Sequence, residues 1–492
     1  MCAKKGSITV FSLLSLLLVT ATLFSVLEGT RYMELQRAAE SQTELAMEAV
    51  FADYETVLWK NYRLLGSPKS TYKETMEHVA NARVETGSSK GTNFLMFEAE
   101  QIELISYRLL TDGKGKGLIK NASRYMSENI VYETLKEIKN HYDSIRELLE
   151  SSGIEMEYLD AALYEIRNLT EAGNNKSAAN HTSDTRDESI GSSGLATILD
   201  RVKQWMANVA LEFFLEDTDS LSESKIDTKQ DIFSRELAEG TEPIVEEITW
   251  LDRVLFQQYL LTYLSNYQSQ KSGRALVYEV EYLLGQKASD VENLLVVCEK
   301  ILAIREAANL VYLTSDLEKV QQAQNLAMAL AGASANAASI NPAVIETIRW
   351  GILAAWAFGE SVLDVRALLA GKKVPFMKSA ETWTLQLENI GEVGQGFQMA
   401  KECESGIGYE MYVGVLLLIE SDENVAMRTL NLQEATVRKA KKDETYQIDS
   451  LLVWAKGEME YTYTPIFPFL GVLNTQEQWE YKLCARKEYG YY

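Results

Sequence analysis

The sequence is poor in the residues and motifs that build common catalytic and metal sites. It has three histidines, His78, His141 and His181, and four cysteines among 492 residues. H-E-x-x-H, G-x-G-x-x-G and G-x-x-x-x-G-K-[ST] are all missing, so it offers no zinc-protease helix, dinucleotide fingerprint or phosphate loop. We expect no catalytic residue, no metal site and no cofactor, and we do not expect an enzyme.

Proline, cysteine and basic residues are also scarce. Six prolines in 492 residues, against an average usage of about 5%, favour long helices over a many-turned β-sandwich. Four cysteines are too few for a disulfide scaffold at this length, although Cys403 and Cys484 could pair if oxidised. The net charge of −23 argues against nucleic acid as a partner, because a phosphate backbone attracts Lys and Arg.

Charge is completely absent from residues 7–27, near the N-terminus. At about 1.5 Å per residue, a helix of this length spans the ~30 Å hydrocarbon layer of a bilayer once. Lys4 and Lys5 precede the run and acidic residues follow it, which favours a cytoplasmic N-terminus and an extracytoplasmic bulk of the chain. We therefore predict a single-pass protein of the cell membrane. The residues taken to mark the anchor are Ser7, Phe11, Leu17, Phe24 and Leu27.

Two other interpretations of this run stay open. A cleaved secretory signal has a shorter apolar core and a small-x-small cleavage site, whereas residues 26–30 read Val-Leu-Glu-Gly-Thr. A buried core helix rarely has so long a charge-free stretch at an extreme terminus. The retained anchor is preferred to both.

Beyond the run, helical periodicity dominates. Apolar residues recur at three- and four-residue steps from 28 to 65, so we expect the membrane helix to continue into a long amphipathic helix. The same period predicts a helix over 94–110. Local alternation predicts strands at 275–282, 383–387, 446–452 and 461–469. The predicted fold class is predominantly α (α+β): a helical ectodomain with a small antiparallel sheet in the C-terminal half.

Composition divides the chain into consecutive segments. Residues 171–194 are nearly free of apolar side chains and cannot bury enough surface to offset their ordering entropy, so they are predicted to be a disordered linker. The other segments are 1–28, a cytoplasmic tip and transmembrane anchor; 29–170, a helical stalk and bundle; 195–240, an amphipathic helix and acidic connection; and 241–492, a C-terminal α+β domain.

A polar cluster interrupts the second long apolar segment, residues 343–369. Its members, Arg349, Glu360, Asp364 and Arg366, would be expensive in lipid, so a buried helix is favoured over a second membrane span. Glu360 and Asp364 stand four residues apart, and paired carboxylates can do acid–base chemistry when burial separates their pKa values. Structural pairing with arginines such as Arg349 or Arg366 is the favoured interpretation.

Several stretches resemble a known family. The similarity to DUF5702, an uncharacterised family of clostridial membrane-anchored proteins, lies in KGSITVFSLLSLLL…LEGTRY, AVFADYETVLWKNYRLL, VEYLLGQKASDVENL, ILAIREAANLVYL, WAFGESVLDVRALLAGKKVPFMKSAETWTL and GIGYEMYVGVLLLI. Members are often encoded beside genes for the Tad type of type IV pilus, and their N-termini resemble those of TadE- and TadG-like pseudopilins. The resemblance implies a structural component or assembly factor of a surface pilus or secretion system, with no enzymatic activity.

The resemblance makes Gly6 a candidate boundary for a prepilin peptidase. The fifth residue after it is Phe11, where type IV pilins usually carry Glu, so the chain departs from a prepilin there. The expected partners are the lipid bilayer, pilus or secretion-platform proteins and a second copy of the chain. A surface ligand-binding or sensing module is the alternative function, and a hydrolase using Glu360 or Asp364 is the third.

Overall fold

The computed structural model describes residues 5–87, 95, 97–129, 204–205, 208–227, 231–334, 342–394, 396–466 and 481–491. The chain divides into two compact units that interleave along the sequence. Unit 1 comprises Met1–Tyr125, Arg235–Asp252 and Ala440–Tyr492, and unit 2 comprises Met126–Ser234 and Arg253–Lys439. Composition predicts consecutive segments instead, and the predicted linker at 171–194 lies outside the described residues.

Unit 1 begins with helix α1, Lys5–Ala52, which runs for 48 residues without a break. The predicted continuation of the apolar run into an amphipathic helix is confirmed as far as Ala52. Leu35, Ala39 and Ala46 recur on one face and are fully buried. The prediction was wrong beyond Ala52, because a separate helix, α2 (Thr56–Tyr62), starts where the Glu55 carboxylate accepts a hydrogen bond from the Val57 amide at 3.2 Å.

Unit 1 also contains an antiparallel sheet with a long central strand. The central strand β3 pairs with β2 along one edge and with β1 and β4 along the other. Its strands in the described residues are β1 (Ser67–Pro68), β2 (Phe97–Leu109), β3 (Leu451–Tyr463) and β4 (Tyr481–Gly490). The sheet therefore combines two strands from the C-terminal part of the chain with two from the first 110 residues.

The helix predicted over 94–110 was wrong, because that stretch forms β2. Its sequence FEAEQIELISYRL fits alternation of apolar and polar residues as well as a helical stripe. Pairing with β3 decides between the two, since short apolar patterns do not distinguish strand from helix by period alone. Strands predicted at 446–452 and 461–469 touch only the two ends of β3, whose middle was missed.

The core of unit 1 lies between the sheet and two helices, α1 and α3 (Tyr72–Gly87). Met47 of α1, Met76 of α3 and Met459 of β3 are at most 1% exposed and meet there. The Thr43 hydroxyl lies 3.0 Å from the Tyr461 hydroxyl, which joins helix and sheet inside the core. Helix α4, Asp112–Asn129, starts in unit 1 and follows β2.

Unit 2 is helical throughout its described part, apart from isolated bridges such as Val374 with Ile407. Its helices, together with those that enter it from unit 1, are α5 (Trp250–Tyr263), α6 (Glu279–Gly285), α7 (Asp290–Ser315), α8 (Leu317–Ser334), α9 (Pro342–Leu369), α10 (Tyr409–Ile419) and α11 (Asp422–Lys441). Helix α9 packs against α7 and α8, which confirms the buried helix predicted at 343–369.

Two strands predicted in unit 2 were wrong. Residues 279–285 of the first are helix α6, in which Glu279, Val280, Glu281 and Tyr282 are all buried. Burial on every side removes the period-two meaning of an alternating sequence. The second, at 383–387, is irregular backbone that enters a short 3-10 turn. Of the amphipathic helix predicted across 195–215, the described residues 208–215 form an irregular segment with one 3-10 turn, Leu211–Phe213.

Candidate functional site

The first half of α1 presents an apolar surface with nothing packed on it in the described part of the chain. It is the one described helix that is long and apolar enough to cross a membrane, and its most apolar stretch is 0% buried. Phe11 is 71% exposed and Leu17 is 48% exposed. The interpretation as a buried core helix is therefore wrong. A membrane anchor and a signal sequence both fit this geometry.

The polar side chains within the run return their hydrogen bonds to the helix itself. The Thr20 hydroxyl donates to the Leu16 carbonyl oxygen at 3.0 Å, and the Thr22 hydroxyl donates to the Val19 carbonyl oxygen at 2.9 Å. In lipid no water is available, so hydroxyls that bond within the helix lower the cost of insertion. Gly6 and Ser7, the candidate processing boundary, lie in the first turn of α1.

The apolar run ends at an ion pair that is fixed to the sheet. Arg31 is 3% exposed, and its guanidinium donates to the Glu28 carboxylate at 2.7 Å and to the Leu95 carbonyl oxygen at 2.7 Å. The first basic side chain after the run is thus held beside the start of β2. Leu27 and Phe24, the last predicted anchor residues, are 38% and 37% exposed one turn earlier.

The second half of α1 is held in place along the sheet. The Tyr491 hydroxyl donates to the Phe51 carbonyl oxygen at 2.6 Å, and the Gln42 amide donates to the Ala80 carbonyl oxygen at 2.9 Å. A Lys487 ammonium lies 3.2 Å from the Glu44 carboxylate. Because this half is packed along its length, the direction of the exposed half is set by the core of unit 1.

The polar cluster predicted on α9 contains two buried carboxylates with unexpected partners. The Lys378 ammonium lies 2.7 Å from a Glu360 oxygen and 2.7 Å from an Asp364 oxygen, and all three side chains are 0% exposed. Glu360 also accepts a hydrogen bond from the Leu385 amide at 2.7 Å. Burial raises the pKa of Glu360 above its ordinary value, and the Lys378 ammonium opposes that shift.

Asp364 has a second cationic partner on helix α7. Its Oδ2 atom accepts from Arg305 Nε at 3.0 Å and from Asn309 Nδ2 at 3.0 Å. Arg305 further donates to the Phe376 carbonyl oxygen at 2.6 Å and to the Tyr412 hydroxyl at 3.1 Å. Two carboxylates therefore face two cations inside a network whose members are held by hydrogen bonds from several elements.

The expected arginine partners were wrong. Arg349 pairs with Glu346 near the exposed start of α9. Arg366 donates to backbone carbonyl oxygens, among them that of Val393 at 2.8 Å, and burial lowers its pKa to about 10. The actual partners, Arg305 and Lys378, stand 59 and 14 residues from Asp364, and no local spacing could have identified them.

This buried network has the geometry of structural ion pairing. Each carboxylate is closed off from solvent and saturated by cations and amides, which is the opposite of a carboxylate poised for proton transfer at a cleft. Among the described residues, no group of His, Cys, Asp and Glu is arranged to hold a metal ion. Cys298, Cys403 and Cys484 are free thiols.

One buried glutamate escaped the sequence analysis. Glu281 of α6 accepts from the Tyr409 hydroxyl at 2.6 Å and from the Tyr267 amide at 2.9 Å. Burial raises its pKa to about 7, although both hydrogen bonds act in the other direction. The stretch ALVYEVEY gives no signal of this, because its alternation places the glutamates on the polar side of a strand that does not form.

Comparison with known proteins gives one finding on family. No curated protein and no solved structure matches the chain. The profile of the family described as "Family of unknown function (DUF5702)" matches residues 189–463, more than half of the 492 residues. The matched range includes the buried ion pairs of α9 and lies C-terminal to α1. The chain belongs to this family of unknown function, DUF5702.

Proposed function

We propose that this protein is a membrane-anchored, extracytoplasmic structural or assembly protein associated with a Tad-type type IV pilus or secretion system, and that it is not an enzyme. The observation that carries the proposal is α1. One uninterrupted helix of 48 residues exposes an apolar first half and buries its second half against an antiparallel sheet. A helix of this design can anchor a folded unit directly at a bilayer.

The exposed half of α1 supports a single membrane span with the N-terminus in the cytoplasm. Its charge-free run of residues 7–27 matches one hydrocarbon thickness of ~30 Å, and two lysines precede it. Soluble proteins rarely leave so large an apolar surface uncovered. The bulk of the chain would then lie outside the cytoplasm, where its net charge of −23 suits a soluble ectodomain.

Phe11 favours an assembly or accessory role over that of a filament-shaft subunit. It is 71% exposed on the apolar surface of α1 and occupies the position where pilins usually carry Glu. An aromatic side chain there suits lipid contact and supplies no carboxylate for pairing with a neighbouring subunit. The proposed partners are therefore the bilayer and proteins of the pilus or secretion platform, with self-association as a further proposal.

Neither alternative function is favoured by an observation in the described residues. Glu360 and Asp364, the carboxylates that a hydrolase would use, are 0% exposed and ion-paired. The third polar residue of α9, Arg366, is used up by backbone carbonyl oxygens.

The test is recovery of partners from membranes. Tagged full-length protein would be cross-linked in its native host, solubilised and purified, and the recovered proteins identified by mass spectrometry. A Leu17→Arg, Leu18→Arg double variant, which should not insert, is the matched control. We expect pilus or secretion-platform proteins with the wild type alone. Recovery of none of these proteins with the wild type would contradict the association.

A second measurement addresses the anchor itself. N-terminal mass spectrometry of the membrane-extracted protein distinguishes three outcomes. An intact Met1 or Cys2 indicates a plain signal anchor, and a start at Ser7 indicates cleavage after Gly6 as in prepilins. A start near residue 30 would overturn the anchored interpretation.

A further inference from the structure

A set of tyrosines gathers where α1 leaves its apolar run. Tyr463, the last residue of β3, stands in register with Phe97 on one side and Tyr481 on the other. The rings of Tyr463 and Tyr481 stack at 5.7 Å between centroids, and Tyr32 of α1 lies 6.1 Å from Tyr463. We call Tyr32, Tyr463 and Tyr481 the tyrosine belt. Tyr32 and Tyr481 are 43% and 41% exposed.

The tyrosine belt lies at the depth of lipid headgroups if the apolar run fills the hydrocarbon layer. Tyr32 follows Leu27 by five residues, which is about 7.5 Å along a helix. The polar layer on each side of the hydrocarbon core is roughly 5–7 Å thick. Arg31 holds the start of β2 at this same level through the Leu95 carbonyl oxygen, 2.7 Å away.

The strands rise from this level beside α1. At the start of β4, Tyr481 joins Tyr32 through Tyr463, whereas Tyr489 near its end lies 5.2 Å from Phe51. From Tyr32 to Phe51 a helix rises about 28 Å, and from Tyr481 to Tyr489 a strand rises about 27 Å. These equal lengths place the tyrosine belt at one end of the sheet and Tyr489 far from it.

The chemistry of the tyrosine belt fits a bilayer interface. Tyrosine combines an apolar ring with a hydroxyl that needs a polar partner, and it is enriched where membrane meets water. We propose that Tyr32, Tyr463 and Tyr481 seat this end of the sheet among the lipid headgroups on the outer face of the membrane. This inference rests on the proposed membrane anchoring and adds a second contact between unit 1 and the bilayer.

The test is photo-crosslinking to lipid with a benzoylphenylalanine residue placed at one position at a time. The full-length protein would be reconstituted in nanodiscs of phosphatidylcholine and phosphatidylglycerol, irradiated and analysed by intact mass. The three positions are Leu17 in the apolar run, Tyr481 in the tyrosine belt and Tyr489 as the control. Tyr481 and Tyr489 are 41% and 40% exposed on the same strand, so they differ in height and not in accessibility.

We expect lipid adducts at positions 17 and 481, with the adduct at 481 several-fold above that at 489. Adducts at 17 with equal, low yields at 481 and 489 would overturn the tyrosine belt and leave the anchor standing. Equal, high yields at 481 and 489 would also overturn it, because the sheet would then lie flat on the lipid. An absence of adduct at 17 would overturn the anchor and the belt together.

Discussion

Helix α1 of unit 1 and helix α9 of unit 2 each carry a long apolar stretch, yet they meet opposite environments. In α1, Leu17 and Leu18 are 48% and 67% exposed. In α9, Trp356 is 1% exposed and Val362 is 0% exposed. The apolar run of α1 is free of charge, whereas α9 buries Glu360 and Asp364 beside their cations.

The difference shows how charge content separates a membrane helix from a core helix. A protein interior can supply a partner for each buried ion, as Arg305 and Lys378 do for Asp364 at 2.9 and 2.7 Å. A single helix facing lipid has no such partners, so each ion there costs several kcal/mol. Apolar content alone does not distinguish the two helices. The following predictions test this comparison.

The largest effect should come from charging the exposed half of α1. The double variant Leu17→Arg, Leu18→Arg places two cations at the centre of the run, at a cost of about 2.5–3.5 kcal/mol each on insertion scales. We expect the protein to move from the carbonate-resistant membrane pellet to the soluble fraction, as measured by fractionation and immunoblotting.

The matched control charges the second half of the same helix. Met33 and Leu45 are 63% and 45% exposed, close to the values for the two leucines. The Met33→Arg, Leu45→Arg variant should stay in the pellet, because these positions lie beyond the apolar run. If both double variants remain in the pellet, α1 does not anchor the chain by its first half.

The next effect should come from removing one charge of the α9 network. Asp364→Asn keeps the shape of the side chain and leaves Arg305 and Lys378 with Glu360 as their one buried carboxylate in the described network. Breaking a buried pair costs about 3–5 kcal/mol. Chemical denaturation of the detergent-solubilised protein, followed by tryptophan fluorescence, measures the loss; Trp356 and Trp383 lie 5.8 Å apart beside this network.

Glu346→Gln is the control on the same helix. Its carboxylate pairs with Arg349 and is 52% exposed, so its loss should cost at most about 1 kcal/mol. Equal losses for the two variants would mean that the α9 network is as accessible to water as the surface pair.

The third effect is a pH dependence in unit 2 that α1 does not share. Glu281 has an ordinary pKa of 4.5 when unfolded and one of about 7 when buried in the fold. The folded protein therefore holds a proton that the unfolded chain has lost between these pH values. Its stabilising contribution is fully present below pH 4.5 and disappears as the pH rises to about 7, a change of about 3 kcal/mol.

Glu281→Gln tests that assignment. The amide is permanently neutral and keeps an acceptor for the Tyr267 amide, so the variant should be more stable than the wild type at pH 8 and similar to it at pH 4.5. Glu299 and Glu306, whose pKa values burial also raises to about 7, should preserve part of the slope. Denaturation midpoints that fall equally with pH in both proteins would contradict the role of Glu281.

Sequence could predict the parts of this fold that depend on local pattern. The long α1 and the buried α9 follow from charge-free length and from helical period. The network of α9 could not follow, because its cations come from 59 and 14 residues away from Asp364. Strand β2 was missed since its pairing with β3 joins residues more than 340 apart, and α6 was missed because burial on all sides erases the pattern.

The smallest effect should come from two glycines of α9 that differ in their surroundings. Gly351 is exposed and has open space where a Cβ would stand, whereas a Cβ on Gly359 would lie 2.5 Å from Leu385 Cδ2. Gly351→Ala should raise the free energy of unfolding by about 0.5–1 kcal/mol, since alanine loses less backbone entropy in a helix. Gly359→Ala should lower it by about 1–3 kcal/mol through overpacking. Opposite signs in the same denaturation assay would establish that α9 has one solvent face and one core face, as a protein-embedded helix must. Two gains of equal size would mean that α9 is not packed around Gly359 and that its likeness to α1 extends to its surroundings.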